Sequence, residues 1–194
     1  MISILFYGDS NTYGFDPRGF AGGRYPEGVR WTSQLAQKSE GRWQISNGGL
    51  NGRMIPQTSW QMKHFLEMLE DEKPGLLSVM LGTNDLLNAL EPSADRIAAR
   101  MEDFIRNVQD STKGTGLRIL LVSPPWIDTP DAGPACCAES RKLAGPYARV
   151  AEKLHLSFAN AAEAHPQLAF DGIHLSEEGH TAFARWMEGV LTKL

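Results

Sequence analysis

Ile2-Ser3-Ile4-Leu5-Phe6-Tyr7-Gly8-Asp9-Ser10 decides how the rest of the chain is read. Six apolar or small residues, rich in β-branched and aromatic side chains, form a run short enough for a buried strand, and Gly8-Asp9 ends it in a turn. A serine directly beyond a buried strand stands where open α/β sheets collect their ligands.

Working outward, similar apolar runs recur at 43–46, 76–81, 118–123 and 156–159, so five strands are expected, counting 2–7. Stretches of helical periodicity separate them at 31–38, 57–70, 94–110 and 141–153, and a last helix spans 176–191. Gly145-Pro146 weakens the start of the fourth helix, because proline is tolerated only in a first turn. The alternation predicts an α/β fold: a parallel sheet with helices on both faces and right-handed crossovers. Two segments break it. Residues 14–29 hold five glycines and two prolines, and 124–134 hold four prolines. Both read as loops beyond strand ends, where they would shape a substrate pocket. Within or beside them, Trp31 and Trp126 are candidates for core or pocket wall.

The chemistry sits at the strand ends. A serine hydroxyl attacks a carbonyl only when an imidazole takes its proton and a carboxylate orients that imidazole. Asp171-Gly172-Ile173-His174, near the far end of the chain, supplies both at a spacing of three. Two further polar sites, Asn47-Gly48-Gly49-Leu50-Asn51-Gly52 and Gly82-Thr83-Asn84-Asp85, each follow an apolar run. A glycine amide such as Gly52 and the side-chain amide of Asn84 are suitable donors to a developing oxyanion, together with the amide of Ser10. Simpler roles exist for each residue. Ser10 could cap a helical turn, Asp171 and His174 could form an Asx turn before a helix capped by Ser176, and Asn84 could only brace its loop. Asp9 and Asp85 are read as structural.

Gly8-Asp9-Ser10, Gly52, Gly82-Thr83-Asn84-Asp85 and Asp171-Gly172-Ile173-His174 together resemble the sequence blocks of the SGNH (GDSL-type) hydrolases, in order and in spacing. Arg24 to Thr32 and Ser123-Pro124-Pro125 are similar to the bacterial arylesterase and acyltransferase branch. One departure is visible: many members carry an acidic residue after the second-block glycine, where this chain has Arg53. The resemblance implies a flavodoxin-like three-layer α/β/α sandwich with strand order 2-1-3-4-5. It also implies a catalytic triad of Ser10, His174 and Asp171, an oxyanion hole of Ser10, Gly52 and Asn84, and cleavage of short acyl or aryl esters. Acyl transfer to an alcohol, an acetylated carbohydrate or thioester substrate, or an inactive binding module are the alternatives. A homo-oligomer is compatible with the relatives.

Composition fits a single domain over 1–194: 42% of the 194 residues are hydrophobic, enough for one core. The net charge of −4 and the lack of basic runs argue against a nucleic-acid or anionic-membrane surface. No apolar stretch approaches the roughly 18 residues of a membrane span. Met1 leads straight into the first strand without signal-peptide features, so a cytoplasmic location is expected. Adjacent Cys136 and Cys137 read as reduced thiols, and His64, His155, His165, His174 and His180 show no metal-ligand spacing. No cofactor or metal is expected; the expected partner is a small-molecule ester.

Overall fold

The computed structural model describes residues 1–19 and 23–194. Residues 20–22, which belong to the expected loop 14–29, lie outside the described residues. Five strands, β1 (Ile2–Gly8), β2 (Trp43–Gly49), β3 (Leu76–Met80), β4 (Arg118–Ser123) and β5 (Ser157–Asn160), pair in parallel in the order β2-β1-β3-β4-β5. In register, Gly8 of β1 stands between Gly49 of β2 and Met80 of β3, so all three strands end level. The chain moves to one side of β1 to make β2 and to the other to make β3. That reversal opens a crevice at the carboxyl ends of the strands.

Alternating side chains of the strands feed two apolar layers. Leu5, Tyr7, Leu77, Val79 and Leu121 point towards helices α3 (Ser59–Glu72), α5 (Ala94–Ser111) and α7 (Ala144–Leu154). Ile4, Phe6, Met80, Leu120 and Val122 point towards α2 (Trp31–Lys38) and α8 (Glu177–Thr192). This is the expected three-layer sandwich. Helix α5 shows why such segments fold as they do. Ala94, Ile97, Ala98, Met101, Phe104, Ile105 and Val108 recur at intervals of three and four and are all buried, and the Ser93 hydroxyl caps the first turn by accepting from Arg96 N–H. Fully burying one such side chain is worth roughly 1.5–3 kcal/mol.

Three elements differ from expectation. β2 continues past residue 46 through Gly48 and Gly49, which read as part of a polar site beyond the strand but lie in the sheet. Gly49 is needed there because a Cβ would collide with the backbone of Thr12 and Tyr13 packed against it. A helix at Gly133–Lys142, α6, occupies ground read as loop and as the start of the next helix; Pro134 sits in its first turn, where no amide hydrogen bond is lost. The chain then breaks at Leu143, and α7 begins at Ala144 with Pro146 in its own first turn. Two short helices, α1 (Ser10–Tyr13) and α4 (Thr83–Leu87), follow β1 and β3 directly.

Candidate active site

The nucleophile candidate is held by backbone geometry. Ser10 is the first residue of α1, whose cap is Asp9: its Oδ1 accepts from Asn11 N–H at 3.0 Å. Ser10 is therefore not the cap, and its own N–H belongs to the first turn, where no intrahelical partner exists. Its Oγ lies 2.9 Å from His174 Nε2, across 164 residues of sequence. On the other side of the ring, His174 Nδ1 is 2.5 Å from Asp171 Oδ2. Asp171 Oδ1 accepts from the backbone N–H groups of Ile173 and His174, both at 3.0 Å, so the spacing of three closes a turn as well as a side-chain pair. Burial alone would raise the Asp171 pKa, but the hydrogen bonds from the His174 ring and the two amides outweigh it and bring it down to about 2. Asp171 is thus ionised at neutral pH. The ring of Phe15 lies against His174 at a centroid distance of 4.6 Å.

Asn11 joins the two halves of this relay, a role its sequence position beside Ser10 does not reveal. Its Nδ2 donates to the Ile173 carbonyl at 3.1 Å, and its Oδ1 accepts from Leu175 N–H at 2.9 Å. One amide side chain therefore staples the loop bearing His174 to the helix bearing Ser10. The same loop is tied from behind: the carbonyl of Gly172, a residue at φ 67°, accepts from Asp128 N–H at 2.8 Å, and a Cβ there would strike the Asp128 carbonyl.

The two oxyanion candidates stand on neighbouring loops. Gly52 is exposed in the β2–α3 connection with φ 71°, a conformation that favours glycine. Asn84 is the second residue of α4, and one of its Nδ2 hydrogens is donated to the Arg53 carbonyl at 3.1 Å, which fixes the amide and leaves its second hydrogen. Arg53 in turn donates through Nη1 to the Gly8 carbonyl at 2.9 Å and to the Gly48 carbonyl, binding the ends of β1 and β2.

Trp31 does not line the pocket. It is 1% exposed, packed edge-on to Phe6 at 4.7 Å and against Phe183 at 4.8 Å, because as the first residue of α2 it faces the sheet. Its Nε1 donates to the Asn11 carbonyl at 2.9 Å, so it supports the serine helix from the core. Trp126 lines a separate cavity of about 200 Å³ with Pro124, Arg141 and Asn160, which contains none of the triad candidates. Ser176 does cap the final helix, accepting from Gly179 N–H at 3.0 Å. Among the described residues no cluster of three His, Cys, Asp or Glu side chains could hold a metal ion.

Asp9 and Asp85 lie beneath the site and are buried to 1% exposure. Asp85 Oδ2 accepts from Ile55 N–H at 3.1 Å, while its Oδ1 and Asp9 Oδ2 have no hydrogen-bond partner among the described residues. Burial pushes both carboxyls up to about 6; for Asp85 the Ile55 amide and Arg100 oppose it, and for Asp9 chiefly the Asn11 amide. A folded-state pKa above the unfolded value of about 3.9 means that the folded form holds the proton more tightly. Stability from these groups is therefore lost as pH rises from about 4 to 6 and stays lost above that. Asp85→Asn keeps an acceptor for Ile55 and removes the buried charge, so it raises Tm by a few degrees at pH 8, and the gain shrinks towards pH 4. Differential scanning calorimetry at both pH values checks this; a lower Tm at pH 8 would refute it.

Residues 6–182 match the GDSL-like Lipase/Acylhydrolase family, and the chain belongs to that family. The family is described as one of lipases and acylhydrolases. Among solved structures, Est24 of Sinorhizobium meliloti, described as a carbohydrate acetylesterase, superposes with a TM-score of 0.85 at 25% identity, covering 100% of this chain and 99% of that one. The aryl esterase of M. smegmatis shares the fold, with a TM-score of 0.84, 24% identity and 100% of both chains covered. An uncharacterized lipoprotein, YqeF of Bacillus subtilis (strain 168), is 30% identical over 129 residues, which are 64% of this chain and 49% of that protein. The match thus spans about half the length of that curated relative. Among the described residues no helix is long and apolar enough to cross a membrane.

Proposed function

We propose that the chain hydrolyses short-chain acyl esters, acetyl or aryl, through an acyl-enzyme on Ser10. The observation that carries this reading is the continuous relay from Ser10 Oγ through both nitrogens of His174 to Asp171, at 2.9 and 2.5 Å. Ser10 attacks the ester carbonyl and gives its proton to His174 Nε2. His174 then returns that proton to the departing alkoxide, while ionised Asp171 stabilises the imidazolium and holds its tautomer. Oxyanion charge falls to the N–H groups of Ser10 and Gly52 and to the free amide hydrogen of Asn84. Each such donor is worth about 2.7–4 kcal/mol in the transition state. Water, deprotonated by His174, resolves the acyl-enzyme; an alcohol takes its place where the site excludes water, which makes the same machinery an acyltransferase.

An acetylated carbohydrate is the second reading, supported by the likeness to Est24. Cys136 and Cys137, both free thiols, support a reducing compartment such as the cytoplasm. The test is a set of initial rates on p-nitrophenyl acetate, p-nitrophenyl decanoate, a peracetylated sugar and acetyl-CoA. Turnover of the acetate ester with little of the decanoate is expected. Hydrolysis of the thioester alone, or of none of them, overturns the proposal.

A further inference from the structure

The reaction as described uses one side of Gly52. The same residue borders a groove of about 380 Å³, whose lining includes Gly52, Arg53, Tyr7, Trp60, Phe65 and Met68. Most of this lining is apolar or aromatic, and Trp60 is 68% exposed within it. Arg53 is its one permanent charge, and no Asp or Glu is among the described residues that line it.

Arg53 is only partly satisfied there. Its Nη1 serves the Gly8 and Gly48 carbonyls, and the guanidinium lies over the Tyr7 ring at 4.1 Å. A guanidinium offers five N–H donors, so those on Nε and Nη2 remain for another acceptor. Burial lowers the Arg53 pKa, which marks a cation whose lost hydration the protein does not fully replace.

Reaction geometry says which part of an ester reaches this groove. The leaving oxygen must lie at His174 Nε2 to receive its proton, and the carbonyl oxygen must lie between the donors of Ser10, Gly52 and Asn84. The acyl substituent then projects away from His174, and Gly52, which belongs both to the oxyanion donors and to the groove lining, is where the two adjoin. We propose that the groove binds the acyl part of the ester and that Arg53 selects acyl groups ending in a carboxylate, that is, half-esters of short dicarboxylic acids. This rests on the hydrolase reading of Ser10. Charge-assisted, two-pronged contacts from guanidinium to carboxylate are the strong ones, and the aromatic walls suit the methylenes between.

The test compares kcat/KM for p-nitrophenyl hydrogen glutarate with that for p-nitrophenyl pentanoate, in which a methyl replaces the carboxylate, after subtraction of spontaneous hydrolysis. The wild-type chain prefers the charged ester by about tenfold or more at low salt, and added sodium chloride shrinks the preference. Arg53→Met brings the ratio to about one, and Arg53→Lys keeps part of it. Because Arg53 also binds two strand ends, its loss lowers turnover generally, but a merely structural role leaves the ratio unchanged. A wild-type ratio of one or less, or an equal ratio in Arg53→Met, overturns the proposal. Tryptophan fluorescence of Ser10→Ala reads the groove without turnover: monomethyl glutarate quenches it saturably, but not once Trp60→Phe is added, and methyl pentanoate does not quench it. Failure to hydrolyse any ester with quenching intact sinks the hydrolase reading alone; absence of quenching sinks the groove assignment.

Discussion

Ser10→Ala lowers kcat by about a millionfold, on the scale seen when a serine nucleophile is removed from other triads. The fold is untouched, because among the described residues the only hydrogen bond of Ser10 Oγ is the one with His174 Nε2, and alanine is a good residue in the first turn of α1. Circular dichroism and Tm should match the wild type. A fluorophosphonate probe should label the wild type at Ser10 and leave the variant unmarked. A variant retaining more than a few per cent of kcat would point to a different nucleophile.

Asp171→Asn is the second severe change, at about 10⁴-fold in kcat by analogy with the same substitution in a serine protease. Two donors, the amides of Ile173 and His174, fix which oxygen of residue 171 must remain an acceptor. In asparagine that requirement turns the NH₂ group towards His174 Nδ1, which then has to accept. The ring proton moves to Nε2, and the base facing Ser10 is gone. Flipping the amide restores the tautomer but sets NH₂ against two backbone donors. Stability carries the same signature: a carboxylate held at about 2 stabilises the fold above its unfolded pKa of about 3.9 and loses that contribution as pH falls through 2. Asp171→Asn therefore lowers Tm at pH 7 and has little effect near pH 2. Should Asp9→Asn or Asp85→Asn harm kcat more than Asp171→Asn does, the orienting carboxylate lies elsewhere.

How much of this could be read beforehand differed from element to element. Long amphipathic segments announced themselves: α2 and α5 fall within a residue of their periodic stretches, since seven buried positions on one helix leave a strong pattern. Strand order came only with the family resemblance, because an alternation of strands and helices fixes parallel pairing but not which neighbour each strand chooses. Helix α1 was invisible to periodicity, having four residues, and α6 was hidden by Gly133-Pro134, which mean a loop unless proline falls in a first turn. Ser10, Asp171 and His174 were legible because their chemistry needs those residue types. Asn11 was not: its clamp on Ile173 and Leu175 depends on a contact across 162 and 164 residues, and nothing local distinguishes it from an ordinary helix-start asparagine. Trp31 misled in the opposite direction, since an aromatic after a glycine-rich loop suits a pocket and a core equally well.

The clamp of Asn11 on residues 173–175 also has a meaning in time. Ser10 emerges from synthesis before His174, with 164 residues between them, and contacts of such separation form only after the intervening sheet has closed the distance. A growing chain thus carries Ser10 without its His174 partner until 164 further residues have been made. On the proposed mechanism every copy that stops short of His174 is catalytically mute, and competence arrives when the 173–175 loop closes on Asn11.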